Sequence, residues 1–355
     1  MHIVGGQDRA TLHGLIIVYP NNGATYPFPK PYAQFPLILG EWWKKNVMDI
    51  QGNANKTGGE PILSDAYTIN GQPGDIYPCS KQETFKMEVK HGKTYLLRIV
   101  NAVMDESLFF AVAKHKLMLP PGLYYMAANA YSSAFGAGFD NTTTPGMLHY
   151  QNIASNTSSS PLLPQLPPHN ATQASTEFSR RLRSLASKDH PVDVPTTVDT
   201  HVFITVSVNL LNCTGAPCTG PFGKRFSASL NNVCFIPPAI DILQAYYLSI
   251  NGIFQTNFPK DPPKEFDYTA NNLPNELLTP EFGTRVLLLN YNASVEMVLQ
   301  GTNLFRADNP GVWLMHYHLE RYQMWGMSAV IVVKNGTTAE TALLPPPHDL
   351  PSCLH

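Results

Sequence analysis

The sequence predicts an all-β chain, and three features carry that prediction. Apolar runs of strand length recur from end to end, Pro/Gly/Asn clusters punctuate them, and long helical periodicity is scarce. Many short strands between regular turns argue for β-sandwich or barrel domains.

In chain order, Leu15 to Tyr19 reads as a buried strand stopped by Pro20-Asn-Asn-Gly. Pro36 to Leu39, Thr84 to Val89 and Thr94 to Val100 read as strands, with His91-Gly92-Lys93 as a hairpin turn between the last two. Leu108 to Val112 and Leu123 to Ala127 follow the same style. From Gln151 to Pro195 the composition shifts to Ser, Pro, Asn and Gln, and we read an interdomain connection. It carries one short basic piece with helical character, Phe178 to Leu185, whose three arginines are too few to argue for an anionic partner. Val202 to Val208, Arg285 to Asn290, Ser294 to Leu299, Val312 to His318 and Ala329 to Val333 read as strands of the second half.

Composition bounds the function. The 31 prolines in 355 residues are nearly double the ordinary share of ~5%, and charged residues, at 14%, sit well below the ordinary ~25%. That excludes a disordered chain and a coiled coil. A formal net charge of -2 gives no electrostatic argument for nucleic acid or a membrane surface, and no apolar run reaches the ~18 residues of a span. No GxGxxG, GxxxxGK or GxSxG spacing occurs, so nucleotide binding and serine hydrolysis have no support.

Seven acceptor sequons, at Asn55, Asn141, Asn156, Asn170, Asn212, Asn292 and Asn335, point to a secreted glycoprotein. The start Met-His-Ile-Val-Gly-Gly has no basic-then-apolar export signal, so we expect the natural amino terminus to lie outside this chain. Of five cysteines, Cys213 and Cys218 flank a turn-forming Thr-Gly-Ala-Pro and are candidates for a local disulfide, with two free thiols as the alternative. Cys79, Cys234 and Cys353 have no assigned partner.

One segment carries chemistry, Val312-Trp-Leu-Met-His316-Tyr317-His318-Leu-Glu-Arg-Tyr322-Gln-Met-Trp-Gly-Met327. On a strand, His316 and His318 share a face about 7 Å apart while Tyr317 points the other way. Two such imidazoles suit neighbouring soft-to-borderline metal ions; a pair of surface or hydrogen-bonded histidines is the plain alternative.

With these residues in view, the chain resembles the plant laccases, blue multicopper oxidases of three cupredoxin-like Greek-key domains. The likeness rests on Tyr26-Pro-Phe-Pro-Lys-Pro31, Gly40-Glu-Trp-Trp43, Ser64-Asp-Ala-Tyr-Thr-Ile-Asn-Gly71, Lys93 to Ala102, Phe139-Asp-Asn-Thr-Thr-Thr144, Asn290 to Gly301, Asp308-Asn-Pro-Gly-Val-Trp313 and Leu344 to Cys353. It implies residues 1–31 as the end of a first cupredoxin domain, 32–150 as a second with an internal gap near 119/120, 151–195 as the linker, and 196–355 as a third with a gap near 305/306.

The resemblance also implies secretion to the apoplast, a monomer, four coppers, and one-electron oxidation of phenols coupled to reduction of dioxygen to water, with a role in lignin turnover. It places His316 and His318 at three-copper-cluster positions, His2 at another, and Met327 at the axial position of the type 1 copper. The type 1 thiolate and one type 1 imidazole fall on Tyr317 and Tyr322. A phenol of pKa near 10 does not replace a soft thiolate ligand. The His-Trp-His-Gly and His-Pro-x-His-Leu-His-Gly motifs have no counterpart, and the remaining histidines form no His-x-His pair. The expectation is therefore a laccase relative whose oxidase activity is lost or strongly impaired. The alternatives are a secreted glycoprotein with a binding role, or the product of a decayed or mis-read gene. A mononuclear copper or zinc site at His316 and His318 has two ligands where three or four are usual.

Overall fold

The computed structural model describes residues 13–19, 25–113, 122–132, 138–151, 163–192, 194–214, 217–264, 278–299, the backbone of 302–307, and 309–349. The chain divides into two compact units, Met1–Gly52 with Pro61–Val192, and Asn53–Glu60 with Asp193–His355. Both are built of open sheets, so the all-β expectation holds.

In the first unit, β1 (Ala33–Trp42) lies between β2 (Ala66–Ile69), antiparallel to it, and β4 (Tyr95–Asn101), parallel to it. The second sheet is ordered β3-β7-β6-β5, from β3 (Lys86–Val89), β5 (Ser107–Val112), β6 (Leu123–Tyr131) and β7 (Thr143–Tyr150). The core forms between them because alternate side chains point inward: Leu37, Leu39 and Ile69 from one sheet meet Met87, Met126 and Leu148 from the other. Each such fully buried side chain contributes about 1.5–3 kcal/mol relative to exposure.

Among the described residues the second unit holds three sheets. The first, β15-β14-β8, uses β8 (Thr200–Ile204), β14 (Ala293–Leu299) and β15 (Thr302–Ala307). The second, β12-β11-β10-β9, uses β9 (Val206–Leu211), β10 (Arg225–Leu230), β11 (Val233–Phe235) and β12 (Glu281–Gly283). The third, β13-β17-β16, uses β13 (Val286–Leu289), β16 (Gly311–His316) and β17 (Ser328–Val333). Central β17 is buried on both faces, which is why Ser-Ala-Val-Ile-Val-Val shows no polar alternation: Ala329, Ile331 and Val333 join one core, Val330 and Val332 another. The junction 305/306 lies inside β15, which runs unbroken against β14.

Four expectations are corrected. Leu15 to Tyr19 forms no strand; Ile16 and Val18 are 83% and 85% exposed, and among the described residues no strand pairs with this run. His91-Gly92-Lys93 turns the chain, with Gly92 at φ +72°, but β3 and β4 pair with different partners, so the turn is an arch between sheets. Val202 to Val208 is two strands, broken at Thr205, whose backbone N–H donates to the Asn231 side chain instead of a sheet neighbour. The strand expected over Val312 to His318 runs Gly311–His316, so Tyr317 and His318 lie beyond it and strand alternation does not orient them.

Candidate metal centre

The segment from His316 to Met327 is the connection between antiparallel β16 and β17, with His316 opposite Ser328 at its mouth. Beyond it the Tyr317 N–H donates to the Met327 carbonyl at 3.3 Å, and the chain makes a single-turn helix over Glu320–Met324. Gly326 at φ +103° lets the chain return into β17; a Cβ there would sit 2.3 Å from Cys234 Sγ, so both space and backbone conformation call for glycine.

This turn brings together the three residues aligned by resemblance with the type 1 copper. Met327 is 2% exposed in the core, and Tyr322 packs on the same cluster. Tyr317 is 44% exposed at the rim. The rings of Tyr317 and Tyr322 meet edge to face with centroids 4.8 Å apart. Tyr322 meets Trp325 at 5.4 Å, also edge to face, and Trp325 stacks on Phe226 at 4.1 Å. The Trp325 indole N–H donates to the Gly59 carbonyl at 3.2 Å. The result is a four-ring aromatic packing, held by burial and ring quadrupoles.

His316 Nδ1 lies 2.8 Å from the Tyr317 carbonyl, so the tautomer with the proton on Nδ1 fits and Nε2 is the ring's acceptor. His318 is exposed. His2 lies outside the described residues. Among the described residues, no group of three or more His, Cys, Asp or Glu side chains is placed to hold a metal ion. A thioether, two phenols and two histidines are not a blue-copper ligand set, and the residues present do not fit that group.

Two features carry no local signal in the sequence. The first is a cavity of about 120 Å³ beside the aromatic packing, lined among others by Cys234, Ser227, Phe226 and Trp325. It is far below the roughly 300 Å³ at which ordinary ligand pockets begin. The Cys234 thiol donates to the Trp325 carbonyl at 3.3 Å, and burial pushes its pKa up, so it is a structural thiol. The second lies in the other unit, where Glu41, Asp105, Glu106 and Asp140, all buried, lie near enough to Tyr67 for their charge to raise its pKa, after the larger effect of its own burial. Backbone amides hold two of them: Met104 N–H donates to Glu41 at 2.7 Å and Thr142 N–H to Asp140 at 2.8 Å.

Cys213 and Cys218 are joined in a disulfide; Cys79 is an exposed free thiol, and Cys353 lies outside the described residues. Asn55, Asn141, Asn170, Asn212, Asn292 and Asn335 are all exposed, while Asn156 falls outside the described residues. No helix among the described residues is long and apolar enough to cross a membrane.

The comparisons with known proteins agree with this architecture. Multicopper oxidase family profiles match residues 33–119 and 302–337. The fold is similar to that of Fet3p, a multicopper oxidase that functions in iron import, at a TM-score of 0.50 and 16% identity, covering 86% of this chain and 66% of that one. The chain belongs to the multicopper oxidases. Within them its place is among the plant laccases: it is 46% identical to Laccase-14 of Arabidopsis thaliana, over 97% of this chain and 75% of the relative, and 38% identical to Laccase-12 of the same plant, over 97% and 76%. Copper is the cofactor of this family, and its chemistry is oxidation of phenols with reduction of dioxygen.

Proposed function

We propose that this chain is a secreted glycoprotein of the laccase fold that does not turn over phenols. The observation that carries the reading is the edge-to-face contact of Tyr317 and Tyr322 at 4.8 Å, where the family resemblance calls for a thiolate and an imidazole. Packed rings have no soft electron pair to offer a copper ion, and Met327, buried in the core, has only its thioether. The phenols, dioxygen and lignin-derived products handled by intact relatives are then not substrates of this chain.

The expected gaps support the same reading. The aligned span with Laccase-14 is 435 positions, longer than this 355-residue chain, and one family match stops at residue 119. A His-rich stretch missing near 305/306 would take with it further copper ligands. Six exposed sequons are compatible with glycosylation in an extracellular setting, and we place the protein in the apoplast as a monomer.

Metal analysis of the purified chain reconstituted with Cu(I) and then Cu(II) tests this, read together with visible absorption and phenol-dependent oxygen uptake. We expect well below one tightly held copper per chain, no blue band and no uptake above buffer. Four coppers, a blue band and oxygen uptake would overturn the proposal. So would a transcript with the missing His-rich stretch in frame.

A further inference from the structure

We propose that one end of the first unit is a binding site for an acidic polysaccharide, a polymer whose sugar rings carry carboxylates. The site is the turn Lys90-His91-Gly92-Lys93 with the tyrosines beside it, and it takes no part in copper chemistry. Only the choice of polymer rests on the extracellular reading above.

The topology gathers the rings. β1, β4 and β6 begin at this end and β3 and β7 finish there, so residues distant in sequence meet. Tyr32, 53% exposed, meets Tyr95 edge to face at 5.7 Å, and Tyr124 meets Tyr150 in the same way at 6.1 Å. Tyr124 and Tyr95 both lie near enough to Tyr150 for their charges to raise its pKa, after the larger effect of its burial, so the two pairs adjoin. The His91 ring stands 6.4 Å from Tyr150. Tyr95, Tyr124 and Tyr150 pack partly on the core and are half-buried.

The charge at this end is one-sided. The ammonium groups of Lys90 and Lys93 both stand over the Tyr32 ring, 5.5 and 5.6 Å from its centre. Two like charges on one ring repel each other, and among the described residues neither has a carboxylate partner. Across residues 26–35 and 86–98 stand Lys30, Lys86, Lys90, Lys93 and Arg98 against Glu88 alone, in a chain of net charge -2. Glu88 accepts from the Gln151 side chain at 3.1 Å. The facing ends of β6 and β7, Gly122 to Tyr124 and Leu148 to Gln151, add no carboxylate. This charge is local, and the whole-chain value conceals it.

The turn holds its lysines in place before any ligand arrives. Gly92 sits at φ +72°, and the Lys93 N–H closes the turn on the Lys90 carbonyl at 3.4 Å. The Lys90 N–H donates to the Tyr95 hydroxyl at 2.7 Å, and the Tyr32 N–H to the Thr94 carbonyl at 2.8 Å. A site ordered in advance loses little entropy on binding. Cations and phenol rings together select the ligand. A sugar ring presents a face of C–H groups that lies on the electron-rich face of an aromatic ring, while a carboxylate on the same sugar reaches an ammonium. Tyrosine gives broad, rigid contact at low entropic cost. An acidic peptide would meet the charges and leave the rings unused.

The test is isothermal titration of the full chain with polygalacturonate, with the same polymer methyl-esterified, with a neutral glucan and with polyglutamate. It needs no copper, so its outcome is separate from that of the oxidase test. We expect binding to polygalacturonate that weakens with salt, weaker binding to the esterified polymer, and none to the glucan. Lys90→Gln with Lys93→Gln should weaken binding about tenfold, the effect of two exposed charge contacts. Tyr32→Ala, which removes the ring that gathers them, should weaken it as well. Lys44→Gln with Lys45→Gln, exposed lysines beyond the opposite end of β1, should leave it unchanged. Unchanged melting curves show that the variants are folded. Polyglutamate or glucan bound as tightly as polygalacturonate, or no binding at all, would overturn the proposal. So would a Lys90 and Lys93 variant that binds like the parent, or equal weakening by the Lys44 and Lys45 changes.

Discussion

The buried centres of the two units face the same problem, functional groups out of water, and meet it differently. Near Tyr67 the first unit buries four carboxyl side chains and holds two of them by directed hydrogen bonds: Met104 N–H donates to Glu41, and Ser64 Oγ donates to Asp140 at 2.7 Å with Glu41 3.2 Å away. Around Met327 the second unit packs ring on ring and uses its polar atoms sparingly, the Trp325 indole N–H finding one carbonyl. A hydrogen-bonded polar cluster is sensitive to protonation, because removing one partner exposes the desolvation cost of the other. An aromatic cluster is sensitive to volume, because a close-packed interior loses both transfer energy and cavity energy when a ring is cut away. Tyr322 and Met327, two of the positions that the laccase resemblance assigns to copper, thus sit within a piece of hydrophobic core with Tyr317 at its exposed rim, while the polar cluster lies in the other unit.

The largest expected effect comes from breaking the aromatic side. Trp325→Ala removes a residue 7% exposed that stacks on Phe226 and meets Tyr322, and large aromatic truncations of this kind cost about 3–5 kcal/mol. Tyr317→Ala, at the exposed rim of the same cluster, should cost less than about 1 kcal/mol. Urea unfolding midpoints of the two variants measure the contrast. If Tyr317→Ala proves as damaging as Trp325→Ala, the rim ring is bearing the packing and the core has been misplaced.

Much of this fold is legible in the sequence because its strands are short apolar runs between strong breakers; β13, β14 and β17 fall where Arg285 to Asn290, Ser294 to Leu299 and Ala329 to Val333 predict them, within a residue or two. What is not legible is pairing. Nothing local says that β3 and β4 join different sheets, or that the Asn231 side chain splits Val202 to Val208 at Thr205. The same holds for the centres. Tyr317, Tyr322 and Met327 are close in sequence and stand out once the resemblance is seen, yet the Phe226 that completes the ring packing comes from β10. Glu41, Asp105, Glu106 and Asp140 are spread over most of the first unit, so only the folded sheets gather them.

A covalent tie sharpens the contrast next. The disulfide Cys213–Cys218 closes a loop with a separation of 5 residues in the second unit; the first unit has none among the described residues. In the loop-entropy account so short a loop contributes about 2 kcal/mol. Cys213→Ser with Cys218→Ser should lower the stability of the second unit by that amount and leave the first unchanged. Hydrogen exchange read separately for β10 and β6 distinguishes them; equal loss of protection in both would mean that the units unfold as one.

The smallest expected change at neutral pH, and the most diagnostic, is Tyr67→Phe. The Tyr67 hydroxyl is buried and finds no hydrogen-bond partner among the described residues, and burial together with the charges of Glu41, Asp140, Glu106 and Asp105 holds its pKa far above the ordinary 10. Removing an unpartnered hydroxyl should shift neutral-pH stability by no more than about 1 kcal/mol. At alkaline pH the sign is fixed by linkage. The unfolded chain releases this proton near 10 and the folded chain retains it, so the stability is full below that value and falls as pH rises beyond it. Tyr125, pushed up to about 12 by burial and its hydrogen bond to Asp75, adds to the same loss. Tyr67→Phe should therefore make the alkaline decline shallower while barely moving the neutral plateau, as read by urea titrations across the alkaline range. A parent and variant that decline in parallel would show that the Tyr67 hydroxyl already reaches water, and that the polar centre of the first unit is not closed as its burial indicates.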